Sequence, residues 1–324
     1  MELDGGAQIL VDTVASFVAP ELVPAVRDAL GRVLRQASDA ERRGLLDQLM
    51  STGSHWGYFS ANTLARTINY ELGQLIVLAG STLRGIHHVA ERGGPCVYLA
   101  NHLSFSDANL FAYLLQREGH AALASKLCVL AGPKVFTDPF RRFSSLSFGA
   151  IKLPQSADRA SGDARMPRRE IARLAAETIT STVQRLEAGD HLLVFIEGSR
   201  SRSAAMQPAL GAVSRYLEVP GTQVIPLAIT GSEHLMPITE ERARPTHVTI
   251  TLGAPLAADQ LIVTSQGNRS SMMHAVGLAI ARQLPSSYRG HYLDESTAEL
   301  IRAAQVLDAA RARTSQAGDA AASS

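Results

Sequence analysis

From about Leu83 onward, short apolar runs alternate with longer stretches of helical periodicity, and this rhythm leaves few architectures open. The runs are Cys96–Ala100, Leu127–Ala131, Phe148–Leu153, Leu192–Ile196, Val224–Ile229 and His247–Leu252. Between and after them the spacing predicts helices at Asp107–Arg117, Arg168–Ala188, Pro208–Leu217 and Met272–Leu284. Strands apolar on both faces and separated by helices imply an α/β fold, a mostly parallel central sheet flanked by helices. Upstream, ILVDTVASFV, LVPAVRDALGRVL and RRGLLDQLM repeat apolar residues every three or four positions. Residues 1–82 are therefore expected as an N-terminal helical domain, and 83–312 as the α/β domain. The polar stretch Gln155–Arg168 reads as a mobile loop, and the small polar residues 313–324 as a disordered tail.

A chain that is 46% hydrophobic and 19% charged can bury a large core and is too mixed to stay unfolded. Its formal net charge of +1 gives no sign of nucleic-acid binding. Cys96 and Cys128 lie inside apolar runs, so they read as buried thiols suited to a reducing compartment. Glu2 and Asp4 stand where a signal peptide would carry positive charge, and no apolar run nears the roughly 18 residues that span a bilayer. The expectation is a cytoplasmic protein, with peripheral contact at a membrane surface as an option. No His, Cys or acidic residues fall at a recognised ligand spacing, so neither a metal nor another cofactor is expected.

Four segments carry the chemistry. In Asn101-His102-Leu103-Ser104-Phe105-Ser106-Asp107, a strand ends and a helix begins, and His102 and Asp107 flank the turn. A carboxylate on one imidazole nitrogen fixes the tautomer and makes the other nitrogen a better base toward an alcohol. The alternative is a helix-capping Asp107 or Ser106 beside an ordinary turn histidine. In Phe195-Ile196-Glu197-Gly198-Ser199-Arg200-Ser201-Arg202, a glycine turn presents two arginines that can converge on one anion, or else form a solvated turn. Ser199 is not a hydrolase nucleophile, because the second glycine of the G-x-S-x-G elbow is missing.

The third segment runs from Lys134 to Arg173 and holds nine Lys/Arg against four Asp/Glu. It suits a phosphorylated acceptor, an acidic carrier protein or an anionic membrane surface, or is a solvated face. In the fourth, Val224–Pro237, Pro226 implies an edge strand or a bulge, Gly231 allows close backbone approach, and His234 reads as structural.

In this order the four segments resemble the glycerolipid acyltransferase family, whose signature begins with an N-H-x-x-x-x-D block. The likeness covers roughly Leu83 to Leu256. AGPKVFTDPFRRFS is similar to the soluble plastid type of glycerol-3-phosphate acyltransferase. VFIEGSRSRS and IPLAITGSEHLM resemble the bacterial glycerol-3-phosphate enzymes and the lysophosphatidate enzymes. The resemblance implies that Asp107 orients His102 and that His102 deprotonates the acceptor hydroxyl. The oxygen then attacks the thioester of acyl-CoA or acyl carrier protein, with no covalent acyl-enzyme. Arg200 and Arg202 would hold the acceptor phosphate, with Glu197, Gly198 and Ser199 shaping that turn. Lys134 and Lys152 would add charge, and the block around Pro226 would line the far wall. The plastid type carries a Lys-His pair after its third strand block, where this chain reads Lys152-Leu153-Pro154-Gln155-Ser156; Lys152 or Arg159 could substitute. Glycerol 3-phosphate is the expected acceptor, 1-acylglycerol 3-phosphate or another alcohol the second, and a non-catalytic membrane-surface module the competing class.

Overall fold

The computed structural model describes residues 5–90, 94–154, 166–237, 240 and 242–322. Nearly all of the stretch read as a mobile loop, including Arg159, lies outside them. Nine strands occur among the described residues: β1 Gly57–Phe59, β2 Thr82–Arg84, β3 Cys96–Ala100, β4 Leu127–Ala131, β5 Gly149–Lys152, β6 His191–Phe195, β7 Gln223–Thr230, β8 Thr249–Leu252 and β9 Leu256–Ala257. Every run read as a strand is one, within a residue or two at each end. The fold is mixed α/β, with strands flanked by helices. No helix among the described residues is long and apolar enough to cross a membrane.

The chain divides into two compact units, and the division does not follow the expected boundary at 82/83. The first takes residues 1–81, 104–182 and 231–248; the second takes 82–103, 183–230 and 249–324. Within the first unit β5 pairs parallel with β4 and antiparallel with β1. Its helices start where their sequences say they should. Ser38 and Glu41 form a reciprocal cap on the helix Asp39–Ser51, and Asn62 accepts from Ala65 N–H at the head of Thr63–Ile76. Asp138 caps Pro139–Ser145, with proline at the first helical position, where it has no amide to lose. The helix Asp107–Arg117 buries nine of its residues. Tyr58 and Phe59 of β1 fall inside the stretch expected to be wholly helical; a three-residue strand is too short to leave a period in the sequence.

In the second unit β3 lies between β6 and β7 and is parallel to both. β7 continues antiparallel to β8, which pairs parallel with β2. Pro226 therefore belongs to an interior strand, contrary to the edge or bulge expected. Its neighbour on one side is Leu99 of β3. On the other, β7 changes partners: Gln223 and Val224 face β9, and Leu227 to Thr230 face β8. The Pro226 carbonyl points into that gap, accepting from Gly253 N–H at 2.8 Å. An amide at 226 would face the same gap, so proline costs the ladder little there. The helix Ala298–Ala322 runs over much of the stretch expected as a disordered tail. Cys96 and Cys128 are buried thiols as read, and burial pushes the Cys96 thiol up to about 12.

Candidate active site

Because β3 and β6 are parallel and in register at Ala100 and Phe195, their carboxyl ends stop side by side. Ligands of α/β sheets sit at such ends. Two residues past the paired positions come His102 on one chain segment and Glu197 on the other. The Glu197 side chain is buried; Oε1 accepts the His102 amide at 2.8 Å and Oε2 the Gln207 amide at 2.8 Å. The His102 carbonyl accepts from Ser201 N–H at 2.8 Å. Both main-chain groups of His102 are thus held by the Glu197–Ser201 block. Its ring is only partly buried and stacks on Phe195, with centroids 4.0 Å apart and planes 18° apart.

One residue earlier, Asn101 is fully buried and makes a matched pair of bonds to β7. Its amide nitrogen donates to the Ile229 carbonyl at 2.9 Å, and its Oδ1 accepts from Ile229 N–H at 2.8 Å. Gly198 follows Glu197 with φ 67°, a left-handed turn that favours glycine, and Ser199 is exposed beyond it. Arg200 is half-buried and Arg202 exposed. Ser201 between them is buried, its hydroxyl donating to the Ala205 carbonyl at 2.7 Å. The second unit thus brings together His102, Glu197, Gly198, Ser199, Arg200 and Arg202. Pro226 is buried in the sheet beside Leu99.

The chain passes into the first unit after Leu103. There Asp107 begins its helix with the carboxylate fully buried. Oδ2 accepts from Ser104 N–H at 3.0 Å, and Oδ1 accepts the Ser232 hydroxyl at 2.6 Å. Ser232 follows Gly231, whose φ of 86° turns the chain sharply after β7. A carboxylate with these two donors is held in one orientation. Replacing Ser232 by alanine is expected to lower stability by about 1.5–3 kcal/mol, the range for a hydrogen bond to a charged group. Urea denaturation of the two proteins measures it, and a loss below about 0.5 kcal/mol would mean that water replaces the hydroxyl.

Of the basic stretch, Lys134 is exposed at the start of a short helix. Lys152 donates to the Gly53 carbonyl at 2.7 Å and lies over the Trp56 ring at 4.6 Å. Burial, then the nearby Arg142, lower its pKa. Arg141 stacks on Phe105 at 3.7 Å, placing a cation beside the loop that leads into Asp107. Arg173 pairs with Glu170 and Glu177 of its own helix, so the charge count overstates what is free to meet an anion.

Asn101, Phe195, Ser232 and Arg141 were not singled out from the sequence. Polar Asn and Ser beside the apolar runs LA and AIT were the available signal, since such residues at strand ends must find partners.

The polar turns carrying His102 and the two arginines stand at the carboxyl ends of parallel strands, where α/β sheets bind their ligands. Residues 81–230, a little under half of the chain, match the family model described as Acyltransferase. No curated protein matches in sequence. A solved structure, the 1-acyl-sn-glycerophosphate (LPA) acyltransferase PlsC from Thermotoga maritima, is similar at 16% identity and a TM-score of 0.45, covering 86% of this chain and 97% of that one.

Proposed function

We propose that the protein transfers a fatty acyl group from a CoA or acyl-carrier-protein thioester to the hydroxyl of glycerol 3-phosphate. His102 acts as general base, and Asp107, five residues on, holds its tautomer. The observation that carries this reading is the seating of His102 at the ends of β3 and β6. Its main chain is clamped by Glu197 and Ser201, which fixes where the imidazole stands at the strand ends. A base fixed in this way takes the acceptor proton as the oxygen attacks the thioester carbonyl. Glu197 acts by building the turn rather than by touching substrate, because both carboxylate oxygens are engaged by main-chain amides. Arg200 and Arg202 bind the acceptor phosphate.

A second acceptor, 1-acylglycerol 3-phosphate or another alcohol, is favoured by Lys152. It stands where the plastid type places its phosphate-holding pair, yet its ammonium is turned onto Gly53 and Trp56. We place the protein in the cytoplasm, with the exposed part of its basic stretch meeting either the acidic carrier or an anionic bilayer.

Acyl transfer measured with both donors against a panel of acceptors tests the reading. Transfer to glycerol 3-phosphate supports it, transfer only to the acylated acceptor moves it to the second, and no transfer at all leaves the non-catalytic module. With the active pair, Arg200→Ala and Arg202→Ala are expected to raise KM for the acceptor about tenfold or more while leaving KM for the donor near wild type. A change confined to the donor would assign the turn to the thioester instead.

A further inference from the structure

Away from these residues the second unit gathers two histidines and a carboxylate from three separate elements. His274 lies on the helix Arg269–Ala281, His291 in the 3-10 turn Gly290–Tyr292, and Glu299 in the first turn of Ala298–Ala322. The Glu299 carboxylate bridges the two rings, with Oε1 3.2 Å from His274 Nε2 and Oε2 3.2 Å from His291 Nε2. One ligand-type atom from each residue lies within 4.8 Å of the others.

We infer that His274, His291 and Glu299 form a binding site for a divalent cation of the zinc class. Zinc takes imidazole nitrogen and carboxylate oxygen at about 2.0–2.2 Å, so tetrahedral neighbours stand about 3.4 Å apart, close to the two distances here. Two imidazoles and one carboxylate suit zinc and similar transition metals better than magnesium or calcium, which prefer oxygen alone. His291 and Glu299 are partly open to solvent, which gives an entry path and a water for a fourth position.

The surroundings of His274 support the assignment. The residue is buried, and its Nδ1 lies 3.1 Å from the Tyr292 hydroxyl oxygen. A ligating histidine characteristically donates its second ring N–H to such an oxygen, which fixes the ring. Tyr292 is itself immobile: it is fully buried, and its hydroxyl accepts from Ala209 N–H at 2.9 Å. The His291 ring meets it edge-on at 5.0 Å.

The ion would brace one loop. His291 N–H donates to the Met206 carbonyl at 2.9 Å, and Met206 N–H donates to Tyr288 at 2.9 Å. The next residue, Gln207, donates to Glu197. No local pattern announces this set, because its members come from three separate elements and stand at no motif spacing.

The test is a zinc titration of chelator-treated full-length protein, followed by calorimetry and by the thermal midpoint. Wild type is expected to bind one equivalent and to unfold at a higher temperature when loaded. His291→Gln and Glu299→Gln, both at accessible positions, are expected to keep the far-ultraviolet circular dichroism of wild type and to bind at least tenfold more weakly. Equal zinc affinity in wild type and both variants, or no binding by wild type, would leave a hydrogen-bonded His–Glu–His cluster and overturn the proposal. These readouts do not depend on acyl transfer, so the cation site and the proposed reaction can fail separately.

Discussion

His102→Ala is expected to lower acyl transfer by about 10² to 10⁴, the usual worth of a general base, with the unfolding midpoint nearly unchanged. The bonds that seat residue 102 are to its own amide and carbonyl, which alanine retains. What is lost is the imidazole and its stacking on Phe195. Steady-state rates on the active donor and acceptor pair, with thermal melts of both proteins, check it. Activity within a few-fold of wild type would remove His102 from the mechanism. A large fall in the midpoint would show that the ring is a packing element.

The second large effect is on stability. Gly231→Ala is expected to destabilise the protein by about 3 kcal/mol or more, for two reasons that add. The backbone there has φ of 86°, a conformation that costs an L-residue about 1–2 kcal/mol. A Cβ would also stand 2.1 Å from the His247 carbonyl oxygen, a main-chain atom that cannot turn aside. Relief requires the turn to open, which draws Ser232 away from Asp107. Chemical denaturation measures the loss. A change under about 1 kcal/mol would mean that the turn relaxes without cost.

The strands that carry the catalytic candidates were legible because each is buried along its length. β3 is buried at all five positions and β4 and β6 nearly so, and a strand covered on both faces must be written in apolar residues. The helix after Asp107 was legible from its period. Short pairings were not. β1, β2 and β9 have two or three residues each, below the length at which any period exists. Pro226 misled because the rule against interior prolines assumes a partner at every position, and β7 changes partners where the proline sits. In the site, residue types pointed to His102, Asp107 and the arginines. They could not show that Glu197 faces inward to two amides, since an acidic residue beside arginines reads equally as a ligand or a salt bridge. Ser232 and Asp107 meet across more than a hundred residues of sequence, beyond the reach of any local pattern.

The side chain of Asn101 has a consequence for how the strand ends. A carboxamide that donates to a peptide carbonyl and accepts from the same residue's amide does what a backbone unit does in a ladder. Asn101 therefore adds a rung to the sheet after the main chain has already turned off it. The chain leaves β3 without abandoning β7, and the amide and carbonyl of the next residue are released from sheet bonding and taken up by the Glu197 block. An aspartate has the shape but no donor for the Ile229 carbonyl, and a leucine has neither group. At this position an amide lets a rigid strand hand over directly to His102, with no slack between them.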